Sequence, residues 1–340
     1  MATTTQDSSP LDLLRWTKPL MWDEGVRAFL CLIPMFIASF TGHTNYVVTL
    51  GQGAFFYAAL FLPKRTGGRL IMAALILSVG LGLYLVGGVV APNPWLAVFF
   101  TVIVCLSLSF LSGWKLGGPL ALTFVMIYTA GLNTGSPTKA SANFVLFALV
   151  LTWSAIVSLL PFWTPIPPPA VSTELGNGEY AEQGFRMGIG SGIALAVSYL
   201  AGFAKLGWAP SAVGNVVRYD PKMSKLRAWV RFAGTIGGAL LATIALVFFH
   251  SVTAVVWAGA FFAVVNGIFK KTKFGMMPLF YTATILLLYS ATNIAGSTET
   301  TLQRVAYNIV GITIGMLVVL YPFPVIMRRL RLMPTGTDAD

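Results

Sequence analysis

Acid is what this chain has least of. Of 340 residues only 11 are Asp or Glu, against 22 Lys or Arg, for a formal net charge of +11. None of those carboxylates falls well inside an apolar run. Carriers driven by protons or sodium commonly bind the ion at a carboxylate near the membrane midplane. Its absence weighs against cation coupling and against a cation as substrate. His43 and His250 stand at the ends of apolar runs, and Asp23 and Glu24 stand at the mouth of the first, all places where interface residues belong. Charge of either sign makes up only 10% of the chain. The two cysteines, Cys31 and Cys105, both sit inside apolar runs and read as buried thiols. No His, Asp or Glu cluster has metal-ligand spacing, and no nucleophile lies beside a base. No metal, no cofactor and no catalytic residue is therefore expected.

What the chain does have is hydrocarbon. Hydrophobic residues make up 56% of it, more than one soluble core can hide at this length. They fall into twelve runs, roughly 26–42, 46–62, 70–90, 95–112, 116–132, 144–163, 187–204, 206–217, 228–249, 252–269, 274–292 and 305–327. Most have the length that spans a bilayer as helix. The run at 206–217 is short and contains Pro210, so it reads as a short or broken helix. With twelve crossings, nineteen of the 22 Lys and Arg fall on the side of the N-terminus. Only Lys139, Lys205 and Arg304 fall on the other. The positive-inside rule then puts both termini in the cytoplasm. Basic residues at span ends are topology anchors and lipid contacts, which excludes nucleic acid as the partner.

The runs form two similar halves. Arg27 and Arg186 open the first and seventh runs 159 residues apart, and Pro119 and Pro278 repeat at the same spacing. The expected fold is an all-α polytopic membrane protein, with about twelve transmembrane helices in two six-helix repeats. An even number of spans per half keeps the repeats parallel. The organisation is then a cytoplasmic, amphipathic segment at 1–25, a first repeat at 26–163 and a Pro-rich, acidic linker at 164–186. A second repeat at 187–327 and a tail at 328–340 follow. In the linker, Gly176-Asn177-Gly178 reads as a turn, and Glu179 and Glu182 share one face of a short helix.

The candidate binding residues are basic and polar. Lys115 and Lys273 precede Gly117-Gly118-Pro119 and Gly275 with Pro278. Gly and Pro loosen a first helical turn and expose backbone N–H groups beside a lysine, which makes an anion cradle. Arg27 and Arg186 are candidates for a wet cytoplasmic vestibule. Gln52, Asn215, Tyr128 and Tyr281 are candidate uncharged binding residues along the seam between the halves. Arg231 reads as an anchor for the cytoplasmic end of the ninth run, and its following glycines as packing sites.

Two segments carry a resemblance. Arg231-Phe-Ala-Gly234-Thr235-Ile-Gly237-Gly238 resembles the Arg-x-x-Gly-Thr-x-x-Gly signature of the fusaric acid resistance, or aromatic acid exporter, family. Arg304 leading into Gly311 and Gly315 is similar to that family's closing helix. The first half departs from the pattern, since no Gly-Thr follows Arg69, and the chain carries no large cytoplasmic domain. The resemblance implies export of aromatic or other organic acids across a bacterial inner membrane. The expected partners are a small organic anion and membrane lipids, and a homo-oligomer fits the same reading. A major-facilitator-type carrier and a non-transporting membrane scaffold are the alternatives.

Overall fold

The computed structural model describes residues 20–111, 117–163, 177–270, 277–294 and 296–321. Lys115, Lys273 and most of the terminal and linker segments lie outside them. Among the described residues every regular element is helical. The first half contains α1 (Trp22–Cys31), α2 (Ile33–Phe40), α3 (Val47–Ala58), α4 (Thr66–Leu75), α5 (Leu81–Val90), α6 (Pro94–Leu111), α7 (Gly117–Leu132) and α8 (Pro137–Leu159). The second half contains α9 (Asn177–Leu200), α10 (Trp208–Val216), α11 (Pro221–Phe248), α12 (Val252–Ile268), α13 (Met277–Ala291) and α14 (Ser297–Leu320).

Four stretches are long and apolar enough to cross a membrane by length and composition: Thr66–Val90, Pro137–Leu159, Pro221–Phe248 and Ser297–Leu320. Shorter apolar helices make up α6, α7, α12 and α13. The outer surface is hydrocarbon: Trp95, Leu200, Phe248 and Leu320 are largely exposed. In water such a surface would aggregate, whereas in lipid it is the natural exterior. The chain is a helical membrane protein.

Two runs are subdivided. The first breaks at Leu32, just before Pro34, whose ring cannot continue the hydrogen-bond ladder, so α2 starts there. In the third a π-helical segment, Ile76–Gly80, joins α4 to α5. Several helices begin earlier than their apolar runs. Ser136 caps α8 by accepting from the Lys139 N–H, and Asp220 caps α11 by accepting from the Lys222 N–H. These polar first turns are helical although no hydropathy window includes them. Asn177 and Gly178 likewise lie within α9, so the expected turn there is helix instead.

Two short helices occupy the centre. All nine residues of α10 are buried, as are most of the twelve of α3. At 1.5 Å per residue α10 is about 14 Å long, well short of the roughly 30 Å hydrocarbon core. The packing around them pairs up across the halves. Helix α3 packs on α8 and α13, while α10 packs on α14 and α7. Between the halves α1 packs on α12, and α6 packs on α9.

Candidate functional site

At the C-terminal end of each short central helix, at Ala59 after α3 and at extended Val217 after α10, buried cations hold nearby carbonyls. Arg27, with 0% exposure, donates from Nη2 to Ala58 O at 2.7 Å and Leu60 O at 3.0 Å. Its Nη1 donates to Ser158 Oγ, and it pairs with Glu24 at 2.5 Å. Lys270 reaches across from the second half to the same Glu24 oxygen at 2.9 Å and to the same two carbonyls. Arg69 holds the end of α8 through Pro63, Ser158, Leu160 and Trp163 carbonyls. In the second half Arg186 pairs with Glu182 at 2.5 Å and donates to Tyr219 O at 3.2 Å. A cation at a helix C-terminus is favoured because the exposed carbonyls carry partial negative charge. Arg27 and Arg186 were expected in a wet vestibule. The structure seals them from water and occupies them with carboxylates and carbonyls. Glu24, expected as an interface residue at the mouth of the first run, and Glu182 are buried beside them for the same reason.

A different pair of cations is buried without a carboxylate. Arg231 lies ten residues into α11 and Arg304 seven residues into α14, about 15 Å and about 10 Å along their axes. Their exposures are 3% and 1%. Both guanidinium groups face Tyr281, at 5.2 and 5.8 Å from the ring centre, and Arg304 also faces Trp208 at 4.7 Å. Arg231 Nε donates to Asn308 Oδ1 at 3.2 Å. Arg304 Nε and Nη2 are buried and have no hydrogen-bond partner. Among the described residues neither arginine makes an ion pair.

Glycines bring these helices together. A Cβ on Gly238 of α11 would stand 2.4 Å from the Leu279 carbonyl oxygen of α13. One on Gly311 of α14 would stand 2.3 Å from the Ala209 carbonyl oxygen of α10. The first approach sets Arg231 against Tyr281, and the second sets Arg304 against Trp208.

The first half closes the site. Phe55 of α3 lies 5.3 Å from the Tyr281 ring. Gln52 Nε2 donates to the Tyr289 hydroxyl at 2.9 Å, and Tyr289 packs edge-on to Trp208 at 5.3 Å. Of the residues singled out in the sequence, Gln52 and Tyr281 therefore come to this cluster. Asn215 donates within its own helix to Ser211 O at 2.7 Å. Tyr128 bonds Thr101 at 2.9 Å and so ties α7 to α6. A groove of about 390 Å³ between α2, α3 and α8 is walled by side chains such as Ile33, Ile37 and Trp153. It contains no Lys or Arg and lies apart from the arginine pair.

Residues 193–318 match the family model described as Fusaric acid resistance protein-like. That match spans Arg231, Arg304, Trp208, Tyr281, Tyr289 and Asn308, so the whole second-half wall of the cluster lies inside the Fusaric acid resistance protein-like region. The likeness points to membrane transport or efflux. No curated protein and no solved structure matches the chain. Among the described residues no three His, Cys, Asp or Glu side chains come together where a metal ion would bind.

In the sequence Arg231 and Arg304 stand at or beside the starts of the apolar runs at 228 and 305, a position that reads as anchoring and not as a site. Both helices start seven to eight residues earlier, at Pro221 and Ser297. The readable signal was an arginine followed on the same helix face by glycines. That arginine belongs to a packed face and not to a headgroup contact.

Proposed function

We propose that this protein carries organic anions, aromatic carboxylates among them, outward across the inner (plasma) membrane of a bacterium. Arg304 carries the reading: a buried guanidinium with Nε and Nη2 unpartnered, beside a second buried arginine and no carboxylate. Burying an ion without a counter-ion costs several kcal/mol. A bound anion offsets that cost, and a carboxylate matches the planar fork of a guanidinium. Trp208, Tyr281 and Phe55 supply ring faces for an aromatic anion, worth about 0.5–1.5 kcal/mol per pair beyond area burial.

The same reading takes the twelve runs as crossings, with both termini cytoplasmic and the halves parallel. Support for a two-fold relation is the α1–α12 and α6–α9 pairing. Arg27 to Leu60 O and Arg186 to Tyr219 O are also equivalent bonds at the 159-residue spacing. Lys115 and Lys273 would gather anions at the inner mouth. We assign Arg27 and Arg186 to holding the ends of α3 and α10. An inside-negative potential favours anion exit by about 2.3 kcal/mol per charge per 100 mV, so facilitated flux suffices.

Flux of benzoate against that of size-matched benzylamine, in proteoliposomes with an imposed potential, tests this. Wild type should move benzoate, and Arg231→Gln and Arg304→Gln should each slow it about tenfold or more. That corresponds to losing one charged hydrogen bond of about 1.5–3 kcal/mol. Lys64→Ala, on an exposed loop, should leave it unchanged. Transport of the amine alone would end the organic-anion reading in favour of another carrier, and no flux of either would favour a scaffold.

A further inference from the structure

Lys205, outside the arginine pair, is also without an anion among the described residues. Lys205 lies in the loop between α9 and α10, half-buried. Its ammonium stands 4.8 Å from the centre of the Tyr289 ring. Among the described residues it makes no ion pair, and no hydrogen bond engages its Nζ. Lys139 is close enough to repel it. An ammonium in that setting has a cation–π contact and no anionic neighbour.

The loop is held firmly. Gly207 N donates to Asn133 Oδ1 at 2.7 Å, and Ala204 N donates to the Tyr307 hydroxyl at 3.2 Å. A Cβ on Gly207 would stand 2.3 Å from the Thr129 carbonyl oxygen. The backbone that carries Lys205 is thus tied to both halves.

Lys205 extends the arginine pair into a series. Arg231 faces Tyr281, Arg304 faces Tyr281 and Trp208, Trp208 meets Tyr289, and Lys205 faces Tyr289. Three cations alternate with aromatic faces, from mid-helix to the end of the bundle where α9 turns into α10. We infer that Lys205 over Tyr289 is a second anion station, taking the carboxylate of an aromatic anion as it leaves Arg304. The Gln52–Tyr289 hydrogen bond ties the ring under Lys205 to the first half across the seam. This rests on the organic-anion reading, and names the exit from its site.

The test uses the full chain, with benzoate as the probe. Calorimetric titration of purified protein should show two sites in wild type and one, the tighter, in Lys205→Gln. In proteoliposomes Lys205→Gln should slow benzoate flux about tenfold, and Lys205→Arg should restore it. Unaltered flux and stoichiometry in Lys205→Gln, with flux still lost in Arg304→Gln, would overturn the second station and spare the anion reading. Flux unaffected by Arg304→Gln, or absent in wild type, would overturn both. If Lys205→Gln and Lys205→Arg lose flux equally while their melting temperatures match wild type, the residue is not an anion station and the inference fails.

Discussion

At the scale of single residues, geometry matters more than charge. Arg231 and Arg304 present a planar fork against Tyr281 and Trp208. Lysine keeps the charge but not the fork or the stacking face. Arg304→Lys should therefore keep weak benzoate binding yet slow flux about as much as Arg304→Gln, measured on the same vesicles. Recovery to wild-type flux would show that charge alone suffices. Lys205 adds a pH dependence. Burial, and after it the charge of Lys139, hold its pKa below the ordinary lysine value. An ammonium with a lowered pKa loses its charge earlier, as pH rises, than an ordinary lysine does. Anion flux should accordingly decline below the usual lysine range of about 10.4. In Lys205→Arg that decline should be absent, and a flux-against-pH series with both proteins decides it.

At the scale of helices, glycine placement decides whether the arginines meet their rings. Gly238 and Gly311 face backbone carbonyls on α13 and α10. Alanine at either must push two helices apart, at a cost of about 1–3 kcal/mol. Gly82 in α5 has open space where a Cβ would go. Gly82→Ala should be neutral or stabilising by up to about 1 kcal/mol, from helix propensity. Melting in detergent should separate the first two variants from the third. Equal behaviour of all three would mean α11–α13 and α10–α14 are not in backbone contact. The glycine spacing was legible in the sequence. The subdivision of the first run was signalled by Pro34, but the π-helical segment at Ile76–Gly80 had no marker.

At the scale of the molecule, one buried carboxylate joins the halves. Glu24 of α1 binds Arg27 beside it and Lys270, which follows α12. Glu24→Gln would leave two buried cations facing each other, a loss of about 3–5 kcal/mol. Lys270→Gln leaves Glu24 paired with Arg27 and should cost less. Unfolding of the two variants in the same detergent checks the order, and the reverse order would mean that the triad does not hold the halves. For topology, cysteine placed at position 139 should be labelled from outside intact cells. Cysteine at 271 should be labelled only after permeabilisation. Labelling of 271 from outside would refute the twelve-crossing arrangement.

Composition and pattern alone were enough for a helical membrane protein with little acid and basic helix ends, because the bilayer imposes run length and charge placement on any sequence. The spacing of Arg27 and Arg186 also announced equivalent positions. What no linear pattern contained was which cations are satisfied. Arg27 and Arg186 look like vestibule charges until Glu24, Glu182 and the carbonyls of Leu60 and Tyr219 close around them. Arg231 and Arg304 look like anchors until polar first turns carry α11 and α14 past the hydropathy boundary and set both inside. A charge is free or spent according to neighbours from distant segments, so only the tertiary structure could separate the clamps from the candidate anion site.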